Sequence, residues 1–191
     1  MSTSAEHASA PEHASAAEHA SAATLRALPY DDPVSQYLIE AVQQEYVQRY
    51  GGRDGAVVDP AEFLPPRGLF LVAEVDGVPA GCGAWRTHGE GVAEIKRVYV
   101  EPAFRRRGLA QTIVAALERG AAAAGHRALV LNSGLRQPEA LALYARLGYV
   151  TVPGYGIYAE APEARFLGKD LVPPHGDATT IDGKGRAAWE S

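Results

Sequence analysis

The stretch EPAFRRRGLAQTIVAALERG, Glu101 to Gly120, follows the apolar run VAEIKRVYV and passes at once into a long alanine-rich pattern. Three arginines and a glycine therefore stand where a strand should hand over to a helix. The first N–H groups of a helix have no partner inside it and carry a partial positive charge, so such a turn is a ready seat for an anion. Gly108 brings no Cβ, which lets backbone approach an anion closely. Arg105, Arg106 and Arg107 add long-range attraction and side chains suited to phosphate. The segment lacks the Gly-Lys-Ser/Thr ending of a Walker loop and the three spaced glycines of a dinucleotide fingerprint. The spacing it does have is Arg105-x-x-Gly108-x-Ala110, which suits a diphosphate. Taken alone, the same segment also reads as a solvated basic loop capping a helix.

The flanking pattern tells what this turn is built into. TLRAL (Thr24 to Leu28) reads as a short strand. A helix follows, capped by Asp32 with Pro33 at its first position and closed by Gly51. Val34, Leu38, Ala41, Val42 and Tyr46 keep helical spacing along it. A Gly- and Pro-rich connector then holds one short helical turn near PAEF. Asp76-Gly77 between two β-type runs is a hairpin signal, and Val92 to Val100 reads as the third strand of a meander. A helix from about Gly108 to Ala124, a strand in HRALVLNSG, a helix in QPEALALYARLG and extended chain in YVTVPGYGIY complete the order. ARFLGKDL reads as a last edge strand. Antiparallel strands first and β-α-β-α-β afterwards predict an α/β sheet of mixed direction, about six to seven strands flanked by about four helices.

The predicted domain spans 24–172, between two tails. The first 23 residues repeat AEHASA and PEHASA with a period of six. Six residues advance a helix by about 600°, so His7, His13 and His19 would point three different ways, and the segment reads as a disordered or loosely helical tail rather than a metal site. Residues 173–191, rich in Gly, Asp and Thr, read as a second poorly ordered tail. With 191 residues, nearly half of them apolar, the chain can bury a sizeable core. Its net charge of −5 argues against a general nucleic-acid partner despite the arginine turn. Fifteen of the 18 basic residues are arginine, which with the abundant alanine hints at a GC-rich bacterial genome. One cysteine, Cys82, excludes an internal disulfide framework and fits a reducing cytoplasm. No apolar run is long enough to span a membrane, and the N-terminus does not read as a secretory signal.

AEIKRVYVEPAFRRRGLA followed by LNSGLRQPEALALYARLGY resembles the GNAT N-acetyltransferase superfamily. The resemblance runs from about Leu25 to Leu171 and is strongest from Glu94 to Tyr149. Arg105, Gly108 and Ala110 match the family's pyrophosphate loop. Ala140, Leu143, Tyr144, Gly148 and Tyr149 match its second signature, with Gln137 in place of the leading asparagine. The resemblance implies that acetyl-CoA lies where two neighbouring parallel strands splay apart. Its pantetheine arm would pair with Arg97, Val98, Tyr99 and Val100, and its diphosphate would rest on Arg105, Arg106, Arg107, Gly108, Leu109 and Ala110. Asn132 and Gln137 would join the coenzyme site, and no metal is implied. The resemblance further implies direct acetyl transfer to a small-molecule or protein amine, and a possible homodimer, since dimers are common in the family.

Acetyl transfer needs a neutral amine, whereas an alkylamine such as lysine has a pKa of about 10.4. A base must take its proton, directly or through water, and the departing thiolate needs a proton or strong hydrogen bonds. Glu94 is the candidate base, since many members carry glutamate there; a structural carboxylate paired with Lys96 or Arg97 is the other reading. Strand alternation places Glu94, Lys96 and Val98 on one face and Ile95, Arg97 and Tyr99 on the other. Tyr144 is the candidate acid, because a phenol near pKa 10 can protonate a thiolate near 8.5; a core tyrosine is its alternative. Asn132 and Ser133 fit either the coenzyme or a turn cap, and Tyr155 and Tyr158 either the acceptor pocket or edge packing. Cys82 reads as a small buried thiol, and His88 and His126 as surface residues. The acceptor region falls at about 46–68 and 153–166, where Asp54, Asp59 and Glu62 are available to attract a cation. A fold that binds acyl-CoA without turning it over is the second functional reading.

Overall fold

A computed structural model describes residues 23–171. The hexapeptide repeats with their three histidines, and the chain from 172 onward, lie outside the described residues. Seven strands form one sheet, β1 (Thr24–Ala27), β2 (Gly68–Val75), β3 (Val78–Gly89), β4 (Val92–Val100), β5 (Ala128–Gly134), β6 (Val150–Thr151) and β7 (Ala164–Asp170). Their spatial order is β1-β2-β3-β4-β5-β7-β6, antiparallel throughout except where β4 meets β5. ARFLGKDL is therefore an inner strand; the two-residue β6 forms that edge instead. Among the described residues three α-helices accompany the sheet, α1 (Pro33–Tyr50), α2 (Leu109–Ala123) and α3 (Pro138–Arg146), where about four were expected. PAEF makes only a four-residue 3-10 turn, Pro60–Phe63.

Local chemistry explains the ends of these elements. The Asp32 carboxylate accepts from the Val34 N–H at 2.8 Å and caps α1. Gly51 closes the same helix at φ 78°, its N–H on the Val47 carbonyl. The β2–β3 hairpin turns on Asp76 and Gly77, both at positive φ (52° and 75°), as a two-residue primed turn requires.

The sheet carries a core on each face. Leu38, Ile39 and Val42 of α1 and Phe63 pack on Phe70, Val72, Cys82 and Ala84. On the other face Ile113, Val114, Leu117 and Ala121 of α2 pack on Leu71, Ala73, Trp85, Ile95, Leu129 and Leu131, and Tyr144 of α3 joins them. Alternate residues of β2 thus serve opposite faces, as a doubly covered strand must. The 60–63 turn docks against the start of β2 with no room for a side chain at Gly68. A Cβ there would stand 2.1 Å from the Glu62 carbonyl oxygen and 2.7 Å from the Trp85 carbonyl oxygen. Because both obstacles are backbone, Gly68→Ala is expected to cost about 2 kcal/mol, lowering the thermal midpoint by roughly 4–8 °C; an unchanged midpoint would show that this turn does not dock so closely.

No helix among the described residues is long and apolar enough to cross a membrane.

Candidate active site

The sheet opens at its one parallel pair. β4 and β5 are paired from Val92↔Ala128 to Ile95↔Leu131 and no further. Beyond that point the two strands diverge, and among the described residues no strand lies beside the β5-facing edge of residues 96–100. A cavity of about 370 Å³ fills the opening. Ile95, Lys96, Arg97 and Val98 line it from β4, and Leu131, Asn132, Ser133 and Gly134 from β5. Gln137, Ala140 and Tyr144 enter from α3, and Tyr46 and Tyr50 from α1. Ligands of open sheets with parallel strands bind at such a crevice, outside the carboxyl ends of the strands.

A bulge shapes this edge. Cys82 stands opposite Tyr99 and Ala84 opposite Lys96, so Gly83 faces two residues, Arg97 and Val98. Arg97 takes φ 58°, a left-handed conformation that costs a non-glycine residue roughly 1–2 kcal/mol. The extra residue shifts the alternation by one. Val98 accordingly packs with the α2-side core beside Ile95, and Tyr99 with the α1-side core. The expected grouping of Val98 with Glu94 is thereby corrected. The buried Arg97 guanidinium meets the Asp54 carboxylate at 2.5 Å, and the Cys82 thiol donates to the Arg97 carbonyl at 3.2 Å. Asp54 also accepts from the Tyr158 hydroxyl at 2.9 Å and from the Ala56 N–H at 3.0 Å. Burial works to raise the Asp54 pKa, but the Ala56 N–H and Arg97 outweigh it and hold the carboxyl below its ordinary value.

Glu94 is one of the most deeply buried side chains, 2% exposed. It stands directly opposite Arg86 in the β3–β4 register. Its two oxygens meet Lys96 and Arg86, each at 2.9 Å, and Arg86 reaches on to Glu62 at 2.6 Å. Its partners are thus Lys96 and Arg86, not Arg97. Burial acts to raise the Glu94 pKa, yet Lys96 and Arg86 prevail and depress it. Glu94 therefore remains ionised through the neutral range. Its contribution to stability is present above the unfolded-state value of about 4.3 and fades as pH falls through the lower folded value. Glu94→Gln is expected to lower the thermal midpoint at pH 7, with the gap to wild type closing in acid. A gap that stayed constant down to the acid limit would contradict this charge network.

Tyr144 is 6% exposed, lines the cavity, and packs edge-on against Tyr149 at 5.4 Å. Burial, then the neighbouring Tyr46, pushes its pKa far up, so its hydroxyl keeps its proton. The Cys82 thiol is wholly buried and its pKa is likewise raised by burial, in keeping with an inert residue. His126 packs on Trp85, whereas His88 lies on Tyr155 and lines a second cavity. Gln137 stands just before α3, at its N-cap position, and receives a long 3.5 Å hydrogen bond from Tyr50.

At the arginine turn, Gly108 sits at φ 78° and no side chain caps α2, which leaves its first N–H groups without a side-chain partner. Arg106 shares a positive φ of 62°. Arg106 and Arg107 are exposed. Arg105 donates to the Val100 carbonyl at 2.8 Å, meets Glu45 of α1 at 2.5 Å, and lies over the Tyr99 ring. Its guanidinium thereby ties the end of β4 to α1.

Residues 30–149 match the Acetyltransferase (GNAT) family. The chain belongs to that family. Acetyl-CoA-dependent N-acetylation is general to its members, and the chain is an acyltransferase acting on an amine acceptor. The IAA acetyltransferase of Azospirillum brasilense is 33% identical over 147 residues, which span 76% of this chain and 95% of that protein. A Klebsiella pneumoniae crystal structure bearing the name acyl-CoA N-acyltransferase is 30% identical with a TM-score of 0.67, over 78% of this chain and 98% of that one. The PaiA N-acetyltransferase of Thermoplasma acidophilum, solved with coenzyme A, shares the fold at 16% identity and a TM-score of 0.58, over 78% of this chain and 99% of that one.

Arg86 is the site residue that sequence reasoning missed; Asp54 was read as a carboxylate available to attract a cation, and its pairing with Arg97 was not foreseen. Counting both strands outward from the Glu90-Gly91 turn brings Arg86 near Glu94, but an irregularity at Thr87 to Gly89 intervenes in the β3–β4 register. Nothing in the local pattern marks Asp54 as the partner of Arg97.

Proposed function

We propose that this GNAT protein moves an acetyl group from acetyl-CoA directly to a primary amine in the opening between β4 and β5. The observation that carries the reading is the strand edge of residues 96–100, left without a partner strand beside a cavity that Tyr144 lines. Unpaired strand backbone is a template for an extended, amide-bearing chain, and the arm of coenzyme A is such a chain. The uncapped α2 N-terminus at Gly108, Leu109 and Ala110 suits a diphosphate eight residues beyond the end of β4.

In this reading the amine nitrogen attacks the thioester carbonyl carbon. A C–N bond forms, the C–S bond breaks, one amine proton passes to water, and Tyr144 donates a proton to the leaving sulfur and regains one from that water. Glu94, ionised and fixed between two cations, acts through water: it orients the chain of solvent that removes the amine proton rather than holding that proton itself. The rate would then follow the ionisation of the acceptor amine, with no step from Glu94 near neutrality. The test is thiol release from acetyl-CoA with a panel of primary amines, run beside thermal-shift titration with acetyl-CoA. Amine-dependent thiol release supports the reading; stabilisation by acetyl-CoA without release for any amine would replace it with an acyl-CoA-binding role.

A further inference from the structure

A second cavity of about 310 Å³ adjoins the first. Lys96, Asn132 and Tyr158 line both, so they mark the junction through which an acceptor must reach the thioester. Away from the junction the second cavity is bounded by the His88 and Tyr155 rings, 4.5 Å apart, and by Val57 and Ile157. Those two aliphatic side chains are 93% and 71% exposed. Two bare aliphatic groups and two aromatic rings around one concavity are what the apolar body of a ligand would cover.

The polar groups at the junction decide the ligand's charge. Both Glu94 oxygens are engaged by Lys96 and Arg86, and Arg86 is further engaged by Glu62. The charge of Glu94 is therefore already answered by two cations. The Lys96 ammonium uses one of its three donors on Glu94. The Asn132 side chain has no partner among the described residues. Unanswered donors thus stand at the point of reaction, and a like charge brought there would be repelled.

The geometry points to an acceptor of the amino-acid kind: a primary amine with an acid group one or two carbons away and an apolar body. This rests on the acetyl transfer proposed above. In the implied pose the acid group meets Lys96 and Asn132, the nitrogen faces the β4–β5 opening, and the apolar body runs past Tyr155 and His88 toward Val57 and Ile157. The bonds made and broken are those already given, and the acid group keeps its charge throughout. The Lys96 ammonium also disfavours the protonated amine beside it, which helps present the neutral nucleophile.

The experiment uses the full chain with acetyl-CoA and matched acceptors: leucine, leucinamide and 3-methylbutylamine, then phenylalanine, its amide and phenethylamine. Values of kcat/KM are compared per mole of free-base amine, which removes differences in acceptor pKa. The acid form is expected to exceed both analogues by about tenfold or more, the range of a charge-assisted hydrogen bond. Lys96→Met should reduce that preference to within about twofold, while Lys96→Arg should retain most of it. Coenzyme A binding by each variant checks that the fold is intact. Equal or better turnover of the amide or plain amine, a preference that survives Lys96→Met, or no turnover of either amino acid would overturn the inference. Turnover of plain amines alone would leave the proposed acetyl transfer standing; absence of both acetyl-CoA binding and turnover would remove the two together.

Discussion

Asp54→Ala is expected to destabilise the protein by about 3 kcal/mol or more, because removing one partner of a buried ion pair leaves the other charge buried and unanswered. At 2–4 °C per kcal/mol this is a fall of roughly 10 °C in the thermal midpoint. The reasoning starts from the backbone. Arg97 is held at φ 58° in the β4 bulge, and its side chain, 4% exposed, has Asp54 as its ion-pair partner. The pair therefore does more than join a loop to a strand. It offsets the strain of the bulge, and the bulge sets which backbone groups of β4 face the opening. Asp54→Ala should accordingly also lower kcat/KM for acetyl-CoA, measured below the unfolding range. Combining Asp54→Leu with Arg97→Met removes both charges together and is expected to recover much of the lost stability. A single-variant cost below about 1 kcal/mol, the range of an exposed pair, would show that the bulge is held by other means.

Tyr144→Phe is expected to lower kcat by about 100-fold, the lower range for loss of general acid catalysis. KM for acetyl-CoA should change by no more than about twofold, since the phenyl ring keeps the apolar packing. The substitution retains the edge-on contact with Tyr149 and the ring's place in the cavity wall. Only the hydroxyl is lost. Because burial raises its pKa, that hydroxyl stays protonated throughout the neutral range and can serve as a donor but not as a base. The kcat of wild type should show no limb from Tyr144 in the neutral range. A kcat within twofold of wild type in Tyr144→Phe would leave Tyr144 as a core residue of the cavity wall.

The elements were legible wherever the chain carries its own punctuation. Asp32, Pro33 and Gly51 mark the ends of α1 because each answers a backbone need that a helix always has. Asp76-Gly77 marks the first hairpin because both positions require positive φ. The strand Val92–Val100 and the turn at Gly108 follow from the switch of apolar spacing between them. The site was legible only in part. The bulge was not, since an arginine rather than a glycine occupies the left-handed position, and period-two counting runs straight through it. The inner place of β7 was also hidden, because strand order depends on which edge a long connection reaches and not on the strand's own residues. Glu94 was readable as a residue of interest, but its two cations were not. One arrives from β3 across a register with two irregularities, and its ionisation depends on both.

The most direct test of the account is a crystal structure of the protein with coenzyme A bound. The account predicts the pantetheine arm lying along residues 96–100 in the β4–β5 opening, its diphosphate on the N–H groups of Gly108, Leu109 and Ala110, and its sulfur within reach of the Tyr144 hydroxyl. A complex with the coenzyme outside that opening, or with the diphosphate away from the start of α2, would contradict it.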